Sequence, residues 1–130
     1  MKTLNNFTLK QKNILFRADL NVPVVNGIIT EKSRIHIIKS SIKKLQKQKN
    51  KIFIISHYGR PKGKINKKYS LNFICPTLKK ELGVNKIFFL KRLESKKIKK
   101  IIMIMKPGDI CLFENIRFYP QEENNQNIFA

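Results

Sequence analysis

The chain has 130 residues and a formal net charge of +20, from 28 basic and 8 acidic side chains. This length allows one domain, and a hydrophobic content of 42% is enough for a packed core. The longest apolar runs, such as Ile101 to Met105, are far shorter than the roughly 20 residues of a membrane span, and no signal peptide is visible at the N-terminus. The two cysteines have no CxxC spacing, which excludes a disulfide scaffold and a zinc pattern. We therefore expect a cytoplasmic chain.

The positive charge has two explanations. Lysine supplies 23 of the 28 basic residues, and lysine, isoleucine and asparagine together make up 56 of the 130 residues. A- and T-rich codons favour this trio, in which case the charge is spread over a solvated surface. The alternative is a role in binding a polyanion such as RNA or DNA. In either case we expect nonspecific polyanion binding at low salt.

The first half of the chain alternates strand and helix patterns. Ile14 to Phe16 predicts a strand, and the Asn26-Gly27 pair favours a tight hairpin turn. Thr30 is a candidate cap for a helix that extends to about Gln48. The continuous apolar run from Ile52 to Ile55 is typical of a strand buried on both faces. The residues predicted on the apolar face of the helix are Ile35, Ile38, Ile42 and Leu45.

The second half continues the alternation. Ser70 is a candidate cap for a helix that ends at Gly83, and Pro76 either kinks this helix or marks its true first turn. The remaining predicted elements are a strand at Lys86 to Leu90, a helix at Glu94 to Met105 with Ile98, Ile101, Ile102 and Met105 on one face, a turn at 106–109 and a strand at Ile110 to Phe113. This order predicts an α/β fold, with a parallel sheet between two layers of helices as in Rossmann-like domains.

Ligands in such folds bind beyond the carboxyl ends of the strands, so the residues that follow strands carry the functional information. The chain has only five arginines. Four of them, Arg17, Arg34, Arg60 and Arg117, follow predicted strands or open the first helix, and the fifth is Arg92. Since lysine is abundant, we interpret these arginines as placed where a planar, bidentate fork matters.

Together with His57, these four arginines predict a basic cup for a small molecule that bears phosphate and carboxylate groups. The alternative is that each arginine is a surface ion-pair partner. Asp19 and Asn21 are polar exceptions in the cup, and they could hold a hydroxyl or a backbone group of the bound molecule. Their alternative role is an Asx-type turn after the strand.

Several segments together resemble the phosphoglycerate kinases. They are RADLNVP at 17–23, NGIIT at 26–30 with SRI at 33–35, SHYGRPKGK at 56–64, and KPGD at 106–109 followed by LFENIRF at 112–118. Their order and spacing agree with the family over residues 14 to 130. Tyr58 replaces the usual leucine, and Pro76 stands where the family has an ordinary helix residue.

The resemblance implies two α/β domains and phosphoryl transfer between 1,3-bisphosphoglycerate and ADP, which gives 3-phosphoglycerate and ATP in glycolysis. Residues 1–130 would form a partial N-terminal phosphoglycerate-binding domain, and Arg34 would be the catalytic arginine. The implied substrate-binding residues are Arg17, Asp19, Leu20, Asn21, Arg34, His57, Tyr58, Gly59, Arg60 and Arg117.

At 130 residues the chain has about a third of the family's length, which implies an incomplete domain. The resemblance implies that the family's Mg-ATP/ADP site lies in a C-terminal domain that is absent from this chain. We therefore expect little or no turnover and at best weak phosphoglycerate binding by the chain alone, unless another chain supplies that half. With the sheet unfinished, we also expect Ile110 to Phe113 to be an exposed edge strand and an aggregation hazard. The alternatives are a basic polyanion- or RNA-binding fragment without enzymatic activity, and a non-functional relic.

Overall fold

The computed structural model describes residues 10–59, 63, 65 and 67–118. In chain order its elements are β1 (Asn13–Arg17), β2 (Val24–Val25), β3 (Ile28–Ile29), α1 (Ser33–Lys47), β4 (Lys51–Ile55), α2 (Cys75–Leu82), β5 (Ile87–Leu90), α3 (Ser95–Ile104) and β6 (Ile110–Phe113). Strands β2 and β3 form the predicted antiparallel hairpin. The other four strands form one parallel sheet in the order β1-β4-β6-β5. The predicted α/β fold with a parallel sheet is therefore confirmed.

Strand β6 lies inside the sheet, and the expectation that Ile110 to Phe113 would be an exposed edge is wrong. Ile110 pairs with Ile52 of β4 on one side and with Ile87 of β5 on the other. All four residues of β6 are buried. A strand that is apolar on both faces is best shielded from water when it lies between two other strands. The edges of the described sheet are formed by β1 and β5.

Helices α1 and α2 cover one face of the sheet. The predicted apolar face of α1 is buried in full, and Leu78 and Leu82 of α2 join the same cluster. These side chains pack against Ile54 of β4 and Leu112 of β6. Fully burying one such side chain stabilises the fold by about 1.5–3 kcal/mol.

Helix α3 covers the opposite face of the sheet. Neighbouring residues of one strand point to opposite sides of a sheet, so the buried strands also present apolar side chains on this second face. Phe53 and Phe113 pack there, with a distance of 5.8 Å between their ring centroids. Met105 is buried in this cluster. The other predicted face residues of α3 are partly buried against it, namely Ile98, Ile101 and Ile102.

The start of α1 differs from the expectation that Thr30 caps the helix. The Thr30 N–H and hydroxyl both donate to the Pro23 carbonyl, which closes the base of the β2–β3 hairpin. The helix begins only at Ser33, whose N–H donates to Glu31 Oε1 at 2.9 Å. The hairpin therefore keeps Thr30 away from the helix end.

The start of α2 decides between the two roles considered for Pro76. Cys75 is the first helical residue, and Pro76 lies in the first turn, where its missing N–H costs no hydrogen bond. The prediction that Ser70 caps this helix is wrong, because its Oγ accepts from the Asn72 N–H at 3.2 Å, before the helix, and no side chain caps the start of α2. The helix ends at Gly83 as predicted, with a left-handed φ of 65°.

Within the described ranges, no helix is long and apolar enough to cross a membrane.

Candidate functional site

Three loops and one helix start meet at the carboxyl edge of the sheet. The loop after β1 is tied to the end of β4 by a bond from Ala18 N–H to the Ile55 carbonyl at 2.9 Å, and to the loop after β4 by a bond from Leu20 N–H to Ser56 Oγ at 2.9 Å. The segment after β6 is also tied to the loop after β4, because Ile116 N–H donates to the Ser56 carbonyl at 3.1 Å. We call the polar group gathered at this edge the cup. Its described members are Arg17, Asp19, Asn21, Arg34, His57 and Arg117.

Asp19 makes both of the contacts considered for it from the sequence. Its Oδ1 accepts from the Asn21 N–H at 3.1 Å, which is an Asx-type turn. Its Oδ2 lies 2.6 Å from Arg34 Nη1. Partial burial alone would raise the pKa of Asp19, but the Asn21 N–H and the Arg34 guanidinium outweigh burial, so the pKa lies below its usual range.

The Asp19–Arg34 pair is open to solvent, with 57% and 43% of the two side chains exposed. An exposed pair of this kind is worth at most about 1 kcal/mol. Arg34 is therefore oriented by Asp19 without being committed to it, and an anionic ligand could exchange with the carboxylate at small cost.

His57 is half-buried among the arginines of the cup. Burial lowers the pKa of His57, and Arg117, Arg17 and Arg34 lower it further against the opposing effect of Asp19. The imidazole is therefore neutral at pH 7. The arginines that disfavour its proton also give the cup a positive potential, which attracts anions.

Asn21 and Gly59 join the first two loops of the cup. Asn21 Oδ1 accepts from the Gly59 N–H at 3.2 Å. Gly59 has a φ of +62°, and a Cβ at this position would lie 2.5 Å from Cε1 of Tyr69. Only glycine fits there, because any side chain would overlap the tyrosine ring as well as strain the backbone.

Asn115 is a structural residue of the site that sequence reasoning placed in a motif but gave no role. Its side chain is fully buried, and its Oδ1 accepts from the N–H groups of Tyr58 and Arg117 at 3.2 and 3.0 Å. Its Nδ2 donates to the carbonyls of Tyr58 and Tyr69 at 2.6 and 2.8 Å. One side chain thus holds the backbone of three segments around the cup.

Glu114 anchors the same region from the neighbouring position. It is only 5% exposed, and its carboxylate accepts from Ser70 Oγ at 2.6 Å, from Leu71 N–H at 2.8 Å and from Asn115 N–H at 2.8 Å. The signal for both residues was a polar pair directly after a four-residue apolar strand, since buried polar groups need specific partners.

The other predicted site residues lie in different surroundings. The Leu20 side chain is fully buried in the core below the cup, and its carbonyl accepts from Val22 N–H at 2.8 Å. The Tyr58 ring packs on Phe73, with 5.1 Å between the ring centroids. The binding roles of Leu20 and Tyr58 stay predictions, and Arg60 lies outside the described residues.

Nucleophilic and metal chemistry find no support among the described residues. Burial raises the pKa of Cys75 to about 11 and that of Cys111 to about 12, so both stay protonated thiols at neutral pH. No three His, Cys, Asp or Glu side chains come together in the described ranges in a way that could hold a metal ion.

Comparison with known proteins agrees with the sequence motifs. A model of the phosphoglycerate kinase family matches residues 4–130. This chain belongs to the phosphoglycerate kinase family. It is 40% identical over 130 residues to the phosphoglycerate kinase of Borrelia hermsii, covering 100% of this chain and 33% of that protein. It is 38% identical over 131 residues to that of Trichodesmium erythraeum, covering 98% of this chain and 32% of that protein.

Solved structures of the family show the same fold. Phosphoglycerate kinase from Coxiella burnetii superposes with a TM-score of 0.74 at 35% identity, over 89% of this chain and 28% of that one. The enzyme from Pyrococcus horikoshii OT3 gives a TM-score of 0.81 at 24% identity, over 94% of this chain and 29% of that one, and supports the fold alone. The chain thus spans about a third of the length of the curated relatives it matches.

Proposed function

We propose that this chain supplies the phosphoglycerate side of phosphoryl transfer between 1,3-bisphosphoglycerate and ADP, the step that yields 3-phosphoglycerate and ATP in glycolysis in the cytoplasm. One observation carries the proposal. Three of the five arginines of this lysine-rich chain, Arg17, Arg34 and Arg117, lie around His57 at the carboxyl edge of a parallel sheet. Ligands of such folds bind at this edge, and the arginine fork suits phosphate and carboxylate groups.

Within this proposal two sets of residues in the cup bind different parts of the substrate. Asp19 and Asn21 take the hydroxyl and carboxylate end of the substrate, next to the Asx turn that fixes their backbone. Arg17, His57 and Arg117 surround its anionic groups, and we propose the same role for Arg60 from its place in the motif. Burial and then the arginines lower the pKa of His57, and an anion bound beside it would offset the contribution of the arginines.

Arg34 is the proposed catalytic residue. Asp19 holds its guanidinium at the mouth of the cup through the 2.6 Å contact. From there it would offset the negative charge on the equatorial oxygens of the migrating phosphoryl group. Positioning and charge stabilisation carry most of the catalysis in phosphoryl transfer, so one well-placed arginine has a large effect.

The nucleotide and its magnesium are proposed to bind to the other domain of the family, in the same or in another polypeptide. The 130-residue chain alone, mixed with 1,3-bisphosphoglycerate and ADP, is therefore expected to form no ATP in a luciferase assay. Formation of ATP would contradict this division of the site.

The binding half of the proposal is tested by titrating the chain with 3-phosphoglycerate and following amide shifts by NMR. At about 0.15 M salt, nonspecific attraction between exposed charges is largely screened. We expect saturable binding, at least about tenfold weaker in Arg34→Ala, because a hydrogen bond to a charged group is lost. Arg34→Lys should also weaken binding, since lysine keeps the charge but loses the fork.

The matched control is Lys99→Ala, which removes the same charge from an exposed position on α3. It should leave the affinity unchanged. The site assignment is refuted if wild-type binding does not saturate, if Arg34→Ala binds as tightly as the wild type, or if Lys99→Ala weakens binding as much as Arg34→Ala.

A further inference from the structure

A concave site lies beside the cup at the carboxyl edge of the same sheet. It is a cavity of about 610 Å³, which is within the range of small-molecule sites. Phe89, Lys91 and Arg92 contribute from the end of β5 and the turn after it, and Glu114 and Phe118 contribute from the segment after β6. Ser70, Asn72 and Phe73 contribute from the segment before α2, and Ile65 and Lys67 complete the described lining.

This cavity is separate from the cup. None of the described members of the cup lines it. The two sites share a wall, because the Phe73 ring that lines the cavity packs on the Tyr58 ring, and Tyr58 directly follows His57 of the cup. A ligand of the cavity would therefore contact different residues from a ligand of the cup.

The walls of the cavity combine aromatic surface with positive charge. Phe73 is 37% exposed, Phe89 is partly buried and Phe118 is buried, so aromatic side chains offer an apolar surface. Lys67, Lys91 and Arg92 are exposed among the lining residues. Within the part of the chain that the structure describes, none of these three cations forms an ion pair.

Glu114 is the acidic side chain in the described lining, and it does not cancel this positive charge. Its carboxylate is buried and already accepts hydrogen bonds from Ser70, Leu71 and Asn115. These neutral donors fix the carboxylate in place, and the three cations of the described lining outnumber this one acid. The charge presented to a ligand is thus positive, next to an aromatic surface.

We propose that this cavity is a binding site for a small aromatic anion, distinct from the phosphoglycerate site. The flat apolar body of the ligand would lie against Phe73 and Phe89. Its carboxylate, sulfonate or phosphate group would bind to Arg92 and Lys91 at the open side, where the guanidinium fork suits an oxyanion.

The test uses 8-anilinonaphthalene-1-sulfonate, a fluorescent aromatic anion, with the full 130-residue chain at about 0.15 M salt. We expect saturable 1:1 binding, about tenfold weaker in Arg92→Ala because a charge-assisted contact is lost. Lys91→Ala should also weaken binding, whereas its matched control Lys99→Ala, on exposed α3, should not. Far-UV circular dichroism of each variant checks that the fold is intact.

Two further measurements locate the dye. Amide shifts on binding should cluster at Phe73, Phe89 and Arg92, and Arg34→Ala should bind the dye as the wild type does. The proposal is overturned if Arg34→Ala abolishes dye binding, which would place the dye in the cup. It is equally overturned if the shifts cluster at the exposed α3 residues Met103 and Ile104, or if Arg92→Ala and Lys99→Ala have the same effect. These results are independent of whether 3-phosphoglycerate binds.

Discussion

Replacing Asn115 by alanine is expected to lower the free energy of unfolding by about 4 kcal/mol. The Asn115 side chain is fully buried and makes four hydrogen bonds to backbone groups of Tyr58, Tyr69 and Arg117. Each buried hydrogen bond contributes about 1 kcal/mol net, and a backbone group left without a partner costs about 1–3 kcal/mol. Water that enters the vacated space recovers part of that cost, so the sum of the four bonds is a fair magnitude.

Equilibrium urea unfolding followed by far-UV circular dichroism measures this change, since the chain has no tryptophan. In a thermal melt the same loss lowers Tm by about 15 °C, at about 4 °C per kcal/mol for a domain of this size. Asn115→Asp separates hydrogen bonding from packing, because it preserves the side-chain volume. It should destabilise the fold at least as much, since a carboxylate oxygen would face the carbonyls of Tyr58 and Tyr69.

Asn85→Ala is the control, because Asn85 is exposed and surface substitutions usually change stability by no more than about 0.5 kcal/mol. The reasoning is refuted if Asn115→Ala unfolds within about 1 kcal/mol of the control. An Asn115→Asp variant as stable as the wild type would also refute it, because the donated hydrogen bonds would then contribute nothing.

Three further predictions concern the cup and the thiols. Gly59→Ala should lower the free energy of unfolding by about 1–3 kcal/mol more than Gly27→Ala does. Both glycines have a positive φ, but only Gly59 faces an aromatic ring. Equal urea midpoints for the two variants would contradict this prediction. Burial and the arginines lower the pKa of His57, and a bound anion raises it. Calorimetric titrations should therefore show that the affinity for 3-phosphoglycerate falls as pH rises through the pKa of the bound state, and that this dependence is weaker in His57→Gln. Identical pH profiles for the two proteins would show that His57 is not part of the binding site. Burial raises the pKa of Cys75 to about 11 and that of Cys111 to about 12. Iodoacetamide at pH 8 should therefore alkylate the native chain at least about tenfold more slowly than the urea-unfolded chain, as followed by mass spectrometry. Equal alkylation rates would show that the thiols are not shielded.

Local pattern predicted most of the elements of this fold. The apolar spacing of Ile35, Ile38, Ile42 and Leu45 identified the buried face of α1, and all four side chains are buried. The turn at 106–109 forms as predicted, with Lys106 N–H donating to Asp109 Oδ2 at 2.9 Å. These features depend on residues close in the chain, which is why periodicity and turn chemistry find them.

Features that depend on distant segments were harder to predict. The predicted Thr30 cap is wrong because Thr30 is held at the base of the hairpin by its bonds to the Pro23 carbonyl, and the helix begins only at Ser33. In the candidate site, the placement of the arginines after strands followed from sequence order and the general rule for parallel sheets. The supporting bonds of Asn115 could not be predicted, since its partners at Tyr58 and Tyr69 are 57 and 46 positions away.

The sequence by itself determined the strands and helices, the class of fold and the edge of the sheet at which polar side chains gather. It did so because apolar period and strand-end chemistry are local properties. Only the tertiary structure decided that β6 inserts between β4 and β5, and that Asp19 both forms its own turn and orients Arg34. Strand order and ion-pair geometry depend on which distant surfaces exclude water best when all the elements pack at once, and a one-dimensional pattern does not contain that competition.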